Sequence, residues 1–189
     1  MDIRINETPL LGCFLISLPV QNDKRGNFVK IFHEETFGNK GLEINFPEEY
    51  YSISHRGVLR GLHFQIPPQD HVKLVCCLEG IIFDAVVDLR RTSPTFRQFN
   101  TFTLKGDEAN LLYIPQGMAH GFLVQSESAL VLYKVSTVYS PAHDKGILWN
   151  SASIPWPAQN PVVSARDEAF PTLSCFESPF MMNNIGRST

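Results

Sequence analysis

The chain has 189 residues, most simply one domain with room for a proper hydrophobic core. Its 16 Lys and Arg against 19 Asp and Glu leave a net charge of -3, too balanced for the field that binds nucleic acid or an anionic membrane surface. No run reaches the ~18 apolar residues of a membrane span, and Met1-Asp2-Ile3 lacks the pattern of a signal peptide, so the expected compartment is the cytoplasm. Cys13, Cys76, Cys77 and Cys175 show no C-x-x-C spacing and read as reduced, mostly buried small hydrophobes, with Cys76 and Cys77 on opposite sheet faces.

In chain order, Leu10 to Leu18 is apolar and ends at Pro19, and a loop over Gln21 to Gly26 puts Arg25 beside a glycine. Phe28 to Phe32 reads as a strand, and His33 to Lys40 is the best helical stretch, leading to Gly41. Tyr50 to Ser54 alternates weakly and enters the most informative segment, Arg56 to Leu74. On a strand, Gly57, Leu59, Gly61, His63 and Gln65 share one face, while Val58, Arg60, Leu62 and Phe64 share the other. Two glycines beside His63 leave space next to its imidazole. Pro67-Pro68 ends this strand, and His71 to Leu78 brings Lys73 back towards it.

Ile81 to Leu89 is a β-branched run carrying Asp84 and Asp88, and Arg90 to Pro94 is a turn whose arginine pair reads as surface. Phe96 to Leu104, Ala109 to Ile114, Gly121 to Gln125 and Ala129 to Val138 follow at the spacing of a β-sandwich or barrel. Pro155 to Pro161 is a proline-punctuated connection. Beyond Cys175 no pattern is evident, so residues 1–175 are expected to form the domain and 176–189 a flexible tail.

Pro115, Gly117 and His120 match P-x-G-x-x-H, the second motif of the cupin barrels, in which a turn delivers a histidine to the barrel interior. Metal-binding cupins pair it with H-x-H and a glutamate; here the corresponding run is His63-Phe64-Gln65, and His71 would have to swing back to complete a ligand set. The expectation is therefore a site with no metal and no other cofactor. In such a site His63 is the natural general base, because imidazole titrates near neutrality. Asp84, Asp88 or Asp167 would hold its second nitrogen, Lys73 would stabilise an oxyanion, and Tyr133 would donate a proton from the opposite side. Base, oxyanion stabiliser and acid are the parts needed to epimerise a carbon next to a carbonyl through an enolate.

The blocks R-G-V-L-R-G-L-H-F-Q, V-K-L-V, G-I-I-F-D-A-V-V-D-L-R-R-T-S-P-T-F, I-P-Q-G-M-A-H-G-F, L-Y-K-V-S-T-V-Y-S-P, I-L-W-N and S-A-R-D occur in this order over about residues 10 to 173. They closely resemble the dTDP-4-dehydrorhamnose 3,5-epimerase (RmlC) family. The resemblance implies an all-β cupin-type jelly-roll barrel with a few short helices, a homodimer with exchanged N-terminal strands, and no metal. It also implies epimerisation at C3 and C5 of a nucleotide-linked 4-keto-6-deoxyhexose.

By position it implies His63 as base with Asp167 as its partner, Tyr133 as proton donor, and Lys73 and Arg60 near the 4-keto oxygen and phosphates. His120 matches a substrate contact, Tyr139 the aromatic that stacks on the base, and Arg25 an arginine that reaches the diphosphate from the partner subunit. Gln65, Asp144 and Arg166 complete the expected substrate-binding set. Two departures stand out: Lys30 replaces an acidic residue in R-G-N-F-V-K, and Glu48-Glu49-Tyr50 stands where relatives often have Q-x-N. Thymidine is the expected nucleotide, with CDP or GDP sugars and inversion of one carbon as alternatives. A metal-dependent oxygenase or isomerase and a non-catalytic sugar-nucleotide-binding module are the readings from other classes.

Overall fold

The computed structural model describes residues 2–182 of the chain. In chain order the elements are β1 (Arg4–Glu7), β2 (Phe14–Ser17), β3 (Val20–Asp23), β4 (Gly26–Val29), α1 (Glu34–Gly38), β5 (Glu48–His55), β6 (Leu59–Gln65) and β7 (Lys73–Glu79). They continue with β8 (Ile81–Asp88), β9 (Phe99–Lys105), β10 (Asn110–Ile114), β11 (Met118–Val124), β12 (Ser128–Val135), β13 (Asp144–Gly146) and α2 (Ala165–Glu168). One antiparallel sheet runs β1-β2-β10-β7-β12-β5 and a second runs β13-β6-β11-β8-β9, with β3–β4 as a separate hairpin. This is the cupin-type jelly roll, nearly all β with two short helices among the described residues.

The period-2 alternation of the strands explains three apolar layers. Between the sheets, Val75, Cys77, Leu112 and Val131 of the first face Ile82, Val86, Leu104, Phe122 and Val124 of the second. The outer face of the first sheet, with Leu74, Cys76 and Leu111, is covered by α1 through Phe37 and by Leu42. The outer face of the second sheet, with Leu62, Phe64, Ala85 and Val87, is covered by Ile147, Ile154, Leu173 and Phe180. Adjacent Cys76 and Cys77 therefore point into different layers, and burial pushes their thiols up to about 11 and about 12.

Several local expectations change. Leu10 to Cys13 forms a turn closed by Cys13 N–H donating to Leu10 O at 3.0 Å, so the strand begins only at Phe14. The stretch around Arg25 is not a free loop but the turn of the β3–β4 hairpin, where Asp23 accepts from the Arg25 backbone at 2.8 Å. Gly26 takes φ +122 there, a left-handed conformation open to glycine.

The face assignment within Arg56 to Leu74 is corrected by a bulge. On β6 and β11 His63 lies opposite His120, but Arg60 lies opposite Phe122, so three steps on one strand answer two on the other. One extra residue reverses the side-chain parity, and Arg60 joins His63 and Gln65 on the cavity side. The strands approach so closely here that a Cβ on Gly121 would meet Arg60 O at 2.7 Å.

Arg90 is also not a surface residue. It is 4% exposed, its Nε and Nη2 donate to Asp88 at 2.9 and 2.7 Å, and Nη2 also donates to Leu11 O at 2.8 Å. Burial alone would raise the Asp88 carboxyl, but hydrogen bonds from Arg90, Ser93 and Thr95 outweigh it and hold it below the usual carboxylate range. Asp88 thus has a structural partner set of its own, a buried charge that is paired and bonded.

The segment expected to be a flexible tail is packed as far as it is described. Ser178 Oγ–H donates to Leu89 O, Arg91 N–H donates to Phe180 O at 3.1 Å, and Phe180 is 3% exposed against Phe64. Apolar residues spaced irregularly still cap an open sheet face, which is why no periodicity announced them. Residues 183–189 lie outside the described residues. Phe180→Ala is expected to lower stability by about 3 kcal/mol, read as a fall in the denaturation midpoint; an unchanged midpoint would mean that the segment does not seal the core in solution.

Candidate active site

At one end of the sandwich the two sheets part around a cavity of ≈ 440 Å³. The second sheet contributes Arg60, His63, Gln65 and His120 to its wall, and the first contributes Lys73, Tyr133, Tyr50 and Glu48. Tyr139, Asp144 and Arg166 also line it. Ten of the eleven residues expected from the sequence are thereby placed in or against one cavity, with Asp167 directly behind His63.

His63 Nε2 lies 2.8 Å from Asp167 Oδ1, across 104 residues of chain. The carboxylate is itself held: Oδ2 accepts from Gly61 N–H at 3.1 Å, and the Asp167 backbone N–H donates to Ser164 Oγ at 3.1 Å. Ser164 is the N-cap of α2, so a capping residue fixes the carboxylate's position. Burial would raise the Asp167 carboxyl, but the bond to His63, its charge and the Gly61 amide hold it below the usual range. An ionised carboxylate accepts from Nε2–H, which leaves the Nδ1 lone pair of His63 free to take a proton. Burial is the largest influence on His63 and lowers its pKa below 6.5, against the opposing pull of Asp167 and with help from Lys73 and Arg166. The ring is therefore neutral at neutral pH.

A second imidazole–carboxylate pair stands beside the first. His120, directly across from His63, places Nε2 2.7 Å from Asp84 Oδ2, with both residues buried. The three carboxylates left open by the sequence are thus sorted: Asp84 serves His120, Asp88 serves Arg90, and Asp167 serves His63.

Lys73 is 6% exposed and its Nζ donates to His63 O at 3.2 Å. Burial lowers its pKa to about 8, with Asp144 and Asp84 pulling the other way. Tyr133, on the facing sheet, is 7% exposed, and burial raises its phenol far above the usual value, so it holds its proton firmly. Arg60 is steadied by Ser54, its Nε donating to Oγ at 2.9 Å. At the mouth, Arg166 and Asp144 pair at 2.6 Å and the Arg166 guanidinium lies 5.3 Å from the Phe170 ring centroid. Tyr139 is 56% exposed, its ring open to a planar partner.

Gln65 has its amide engaged already: Nε2 donates to Gln69 O at 2.8 Å and Oε1 accepts from Ser140 N–H at 2.6 Å. It braces the two loops at the cavity floor. Arg25 is the one expected residue that a single chain does not bring to the cavity. It sits on the exposed β3–β4 turn and pairs with Asp23 at 2.6 Å. His71 also lines the cavity, and burial, then Lys73, lowers its pKa to about 3. Among the described residues no three His, Cys, Asp or Glu side chains group as a metal-ion ligand set.

Ser52 and Phe170 carry no motif, and Tyr50 stands out in the sequence only as part of the Glu48-Glu49-Tyr50 departure. Tyr50 and Ser52 lie on the same side of β5 as Glu48, a signal visible only once that strand is paired with β12. The departure at Glu48-Glu49-Tyr50 falls on this wall: Glu48 accepts from Tyr139 N–H, Glu49 pairs with Lys134, and Tyr50 stacks on Tyr133. Lys30 is exposed, as a solvated strand end.

Fold and cavity together define a cupin-type barrel with two imidazole–carboxylate pairs and a lysine and a tyrosine at the cavity wall. The family model for dTDP-4-dehydrorhamnose 3,5-epimerase matches residues 7–174. The dTDP-4-dehydrorhamnose 3,5-epimerase of Pseudomonas aeruginosa is 42% identical over 164 residues, covering 83% of this chain and 90% of its own. Among solved structures, dTDP-6-deoxy-D-glucose-3,5-epimerase from Legionella pneumophila, in complex with dTDP-4-keto-L-rhamnose, superposes with a TM-score of 0.91 at 32% identity, covering 96% of this chain and 100% of its own. A 3'-monoepimerase from Streptomyces bikiniensis in complex with dTDP-quinovose reaches 0.84 at 29% identity, covering 88% and 86%. The chain belongs to the dTDP-4-dehydrorhamnose 3,5-epimerase family, isomerase-class enzymes acting on carbohydrates.

The His63 resonances are expected to titrate with a midpoint below 6.5 and the Lys73 ammonium near 8 in an NMR pH series. Asp167→Asn removes a charge that raises the imidazole's pKa, so the His63 midpoint should fall further; a midpoint that rises would mean that Asp167 is not its electrostatic partner.

Proposed function

We propose that the chain inverts C3 and C5 of dTDP-4-dehydro-6-deoxyglucose, giving dTDP-4-dehydrorhamnose. What carries this reading is the placing of His63 and Tyr133 on opposite sheets around one cavity. The 4-keto group acidifies the C–H bonds beside it. Neutral His63 takes the proton through Nδ1, and Asp167 stabilises the imidazolium that results. The electron pair moves onto the keto oxygen, where the Lys73 ammonium supplies positive potential and a donor, with the His120 ring beside it. Tyr133 then returns a proton to carbon from the other face, which inverts the centre, and solvent restores the phenol and imidazole. The same sequence at the second carbon completes the reaction.

For the nucleotide, Arg60 and Arg166 have the forked donors that suit a diphosphate, and exposed Tyr139 offers a face to the base. Arg25 would reach the diphosphate of a partner subunit in a homodimer with exchanged strands. Phe28 on that hairpin is 60% exposed, and Ile53 on edge strand β5 is 59% exposed, surfaces that a second copy would cover.

Incubation with dTDP-4-keto-6-deoxyglucose in deuterium oxide should place deuterium at C3 and C5 of the inverted product, followed by NMR. Label at C3 alone would make the protein a single-carbon epimerase, and exchange only with the CDP or GDP sugar would change the nucleotide. His63→Asn should lower turnover by roughly 10²- to 10⁴-fold, and Tyr133→Phe should block inversion; normal turnover by both would locate the acid and base elsewhere. The base works neutral and the lysine works charged. Activity should therefore decline as pH falls through the His63 pKa, below 6.5, and as pH rises through about 8, and Lys73→Met should abolish the alkaline limb.

A further inference from the structure

Tyr133 is gripped from two sides. Tyr50 of β5 lies directly opposite it in the β5–β12 pairing, and the two rings stack with centroids 4.8 Å apart and planes 18° from parallel. His120 meets the Tyr133 ring edge-on, at 6.3 Å and 71°, and is itself tied to Asp84 at 2.7 Å. A tyrosine ring turns about χ2 in a broad well unless neighbours define it, so these two contacts constrain the plane of the Tyr133 ring, with Ser52 beside its hydroxyl. Tyr50 lies on the edge strand, is 41% exposed and belongs to none of the three apolar layers. Its ring makes a specific contact at the cavity wall more than it fills a core. Its phenol, pushed up to about 12 by burial and then by Glu48 and Asp144, is neutral at neutral pH and adds no charge beside Tyr133.

We propose that Tyr50 is a positioning residue for inversion: its ring clamps Tyr133 between itself and His120, so that the phenol faces the carbanionic carbon from the side opposite His63. The proposal rests on Tyr133 being the proton donor. It separates two fates of the enolate. His63 imidazolium can return a proton to the face it came from, forming a C–H bond with retention and releasing the imidazole. Alternatively, the Tyr133 O–H bond breaks, its proton bonds to carbon from the other face with inversion, and the phenolate recovers a proton from solvent. Loosening Tyr133 slows only the second fate, and a displacement of about 1 Å can cost up to ~100-fold.

The full chain is incubated with dTDP-4-keto-6-deoxyglucose in deuterium oxide, and deuterium in recovered substrate is compared with deuterium in inverted product. Tyr50→Ala is expected to shift this ratio towards labelled, uninverted substrate by roughly tenfold or more, while Tyr50→Phe, which keeps the stack, restores the wild-type ratio. If the alanine variant does not fold, Tyr50→Leu, which fills space without a ring face, carries the same expectation. A wild-type ratio in the folded alanine or leucine variant overturns the proposal. So does loss of inversion in Tyr50→Phe, because the operative group would then be the Tyr50 hydroxyl and not its ring. Tyr133→Phe, run alongside, separates the two levels: normal inversion there removes the donor assignment and this proposal with it. Blocked inversion there with an unshifted ratio for Tyr50→Ala removes only the role of Tyr50.

Discussion

A carboxylate held behind an imidazole is the interaction on which the cavity depends. His63 comes from β6, in the middle of a sheet, and Asp167 from a four-residue helix 104 positions later. Bringing the carboxylate there takes a water-exposed charge out of solvent, a cost that only good hydrogen bonds offset. The Asp167 carboxylate accepts two of them, from His63 and the Gly61 amide, while its backbone N–H donates to the Ser164 cap and fixes where the side chain starts. With the carboxylate fixed, the imidazole has one tautomer and one orientation, and its second nitrogen faces the space between the sheets. The segment from β13 to α2 is folded back over β6 so that this contact can form, with Ile147 and Leu62 exchanging backbone hydrogen bonds at 3.0 and 3.2 Å.

The remainder of the cavity follows from burial acting differently on different groups. The same low-dielectric surroundings lower the pKa of His63 and Lys73 and raise that of Tyr133. An imidazole is thereby kept neutral, an ammonium is brought close to neutrality, and a phenol is kept protonated. One kind of surroundings thus favours the neutral form of every group, whether its charge would be positive or negative, which suits the acid and base roles proposed for this cavity. The arrangement is possible because the apolar layer between the sheets stops short of this end, where Tyr133 closes it and polar side chains begin.

Much of this is local and so was legible in the chain. Alternation along β7, β11 and β12 sends Lys73, His120 and Tyr133 to predictable faces, and Pro115 with Gly117 marks the turn that launches His120. The spacing of short apolar runs marks a β-sandwich or barrel, and the motif blocks carry the resemblance that implies the cupin fold. Uniform alternation sets Arg60 on the face opposite His63, but a bulge at Gly61 and Leu62 shifts parity, and a bulge is defined only by what the neighbouring strand does. Arg90 looked like surface because its partner Asp88 and the Leu11 carbonyl are supplied by the fold around it. Phe180 has no periodic companions, so only the uncovered face of the second sheet gives it a place.

By itself the sequence determined the inventory: a β-sandwich or barrel, because side-chain alternation and turn chemistry act over a few residues, and, through its motif blocks, a resemblance to the epimerase family with the imidazoles, lysine, tyrosine and arginines available for its chemistry. Only the tertiary structure decided the pairings. It gave Asp84 to His120, Asp88 to Arg90 and Asp167 to His63, and set Tyr50 against Tyr133. Each of these contacts depends on strand register and on segments distant in the chain, and a carboxylate's partner is chosen by which side chain stands within hydrogen-bond reach when water has been excluded.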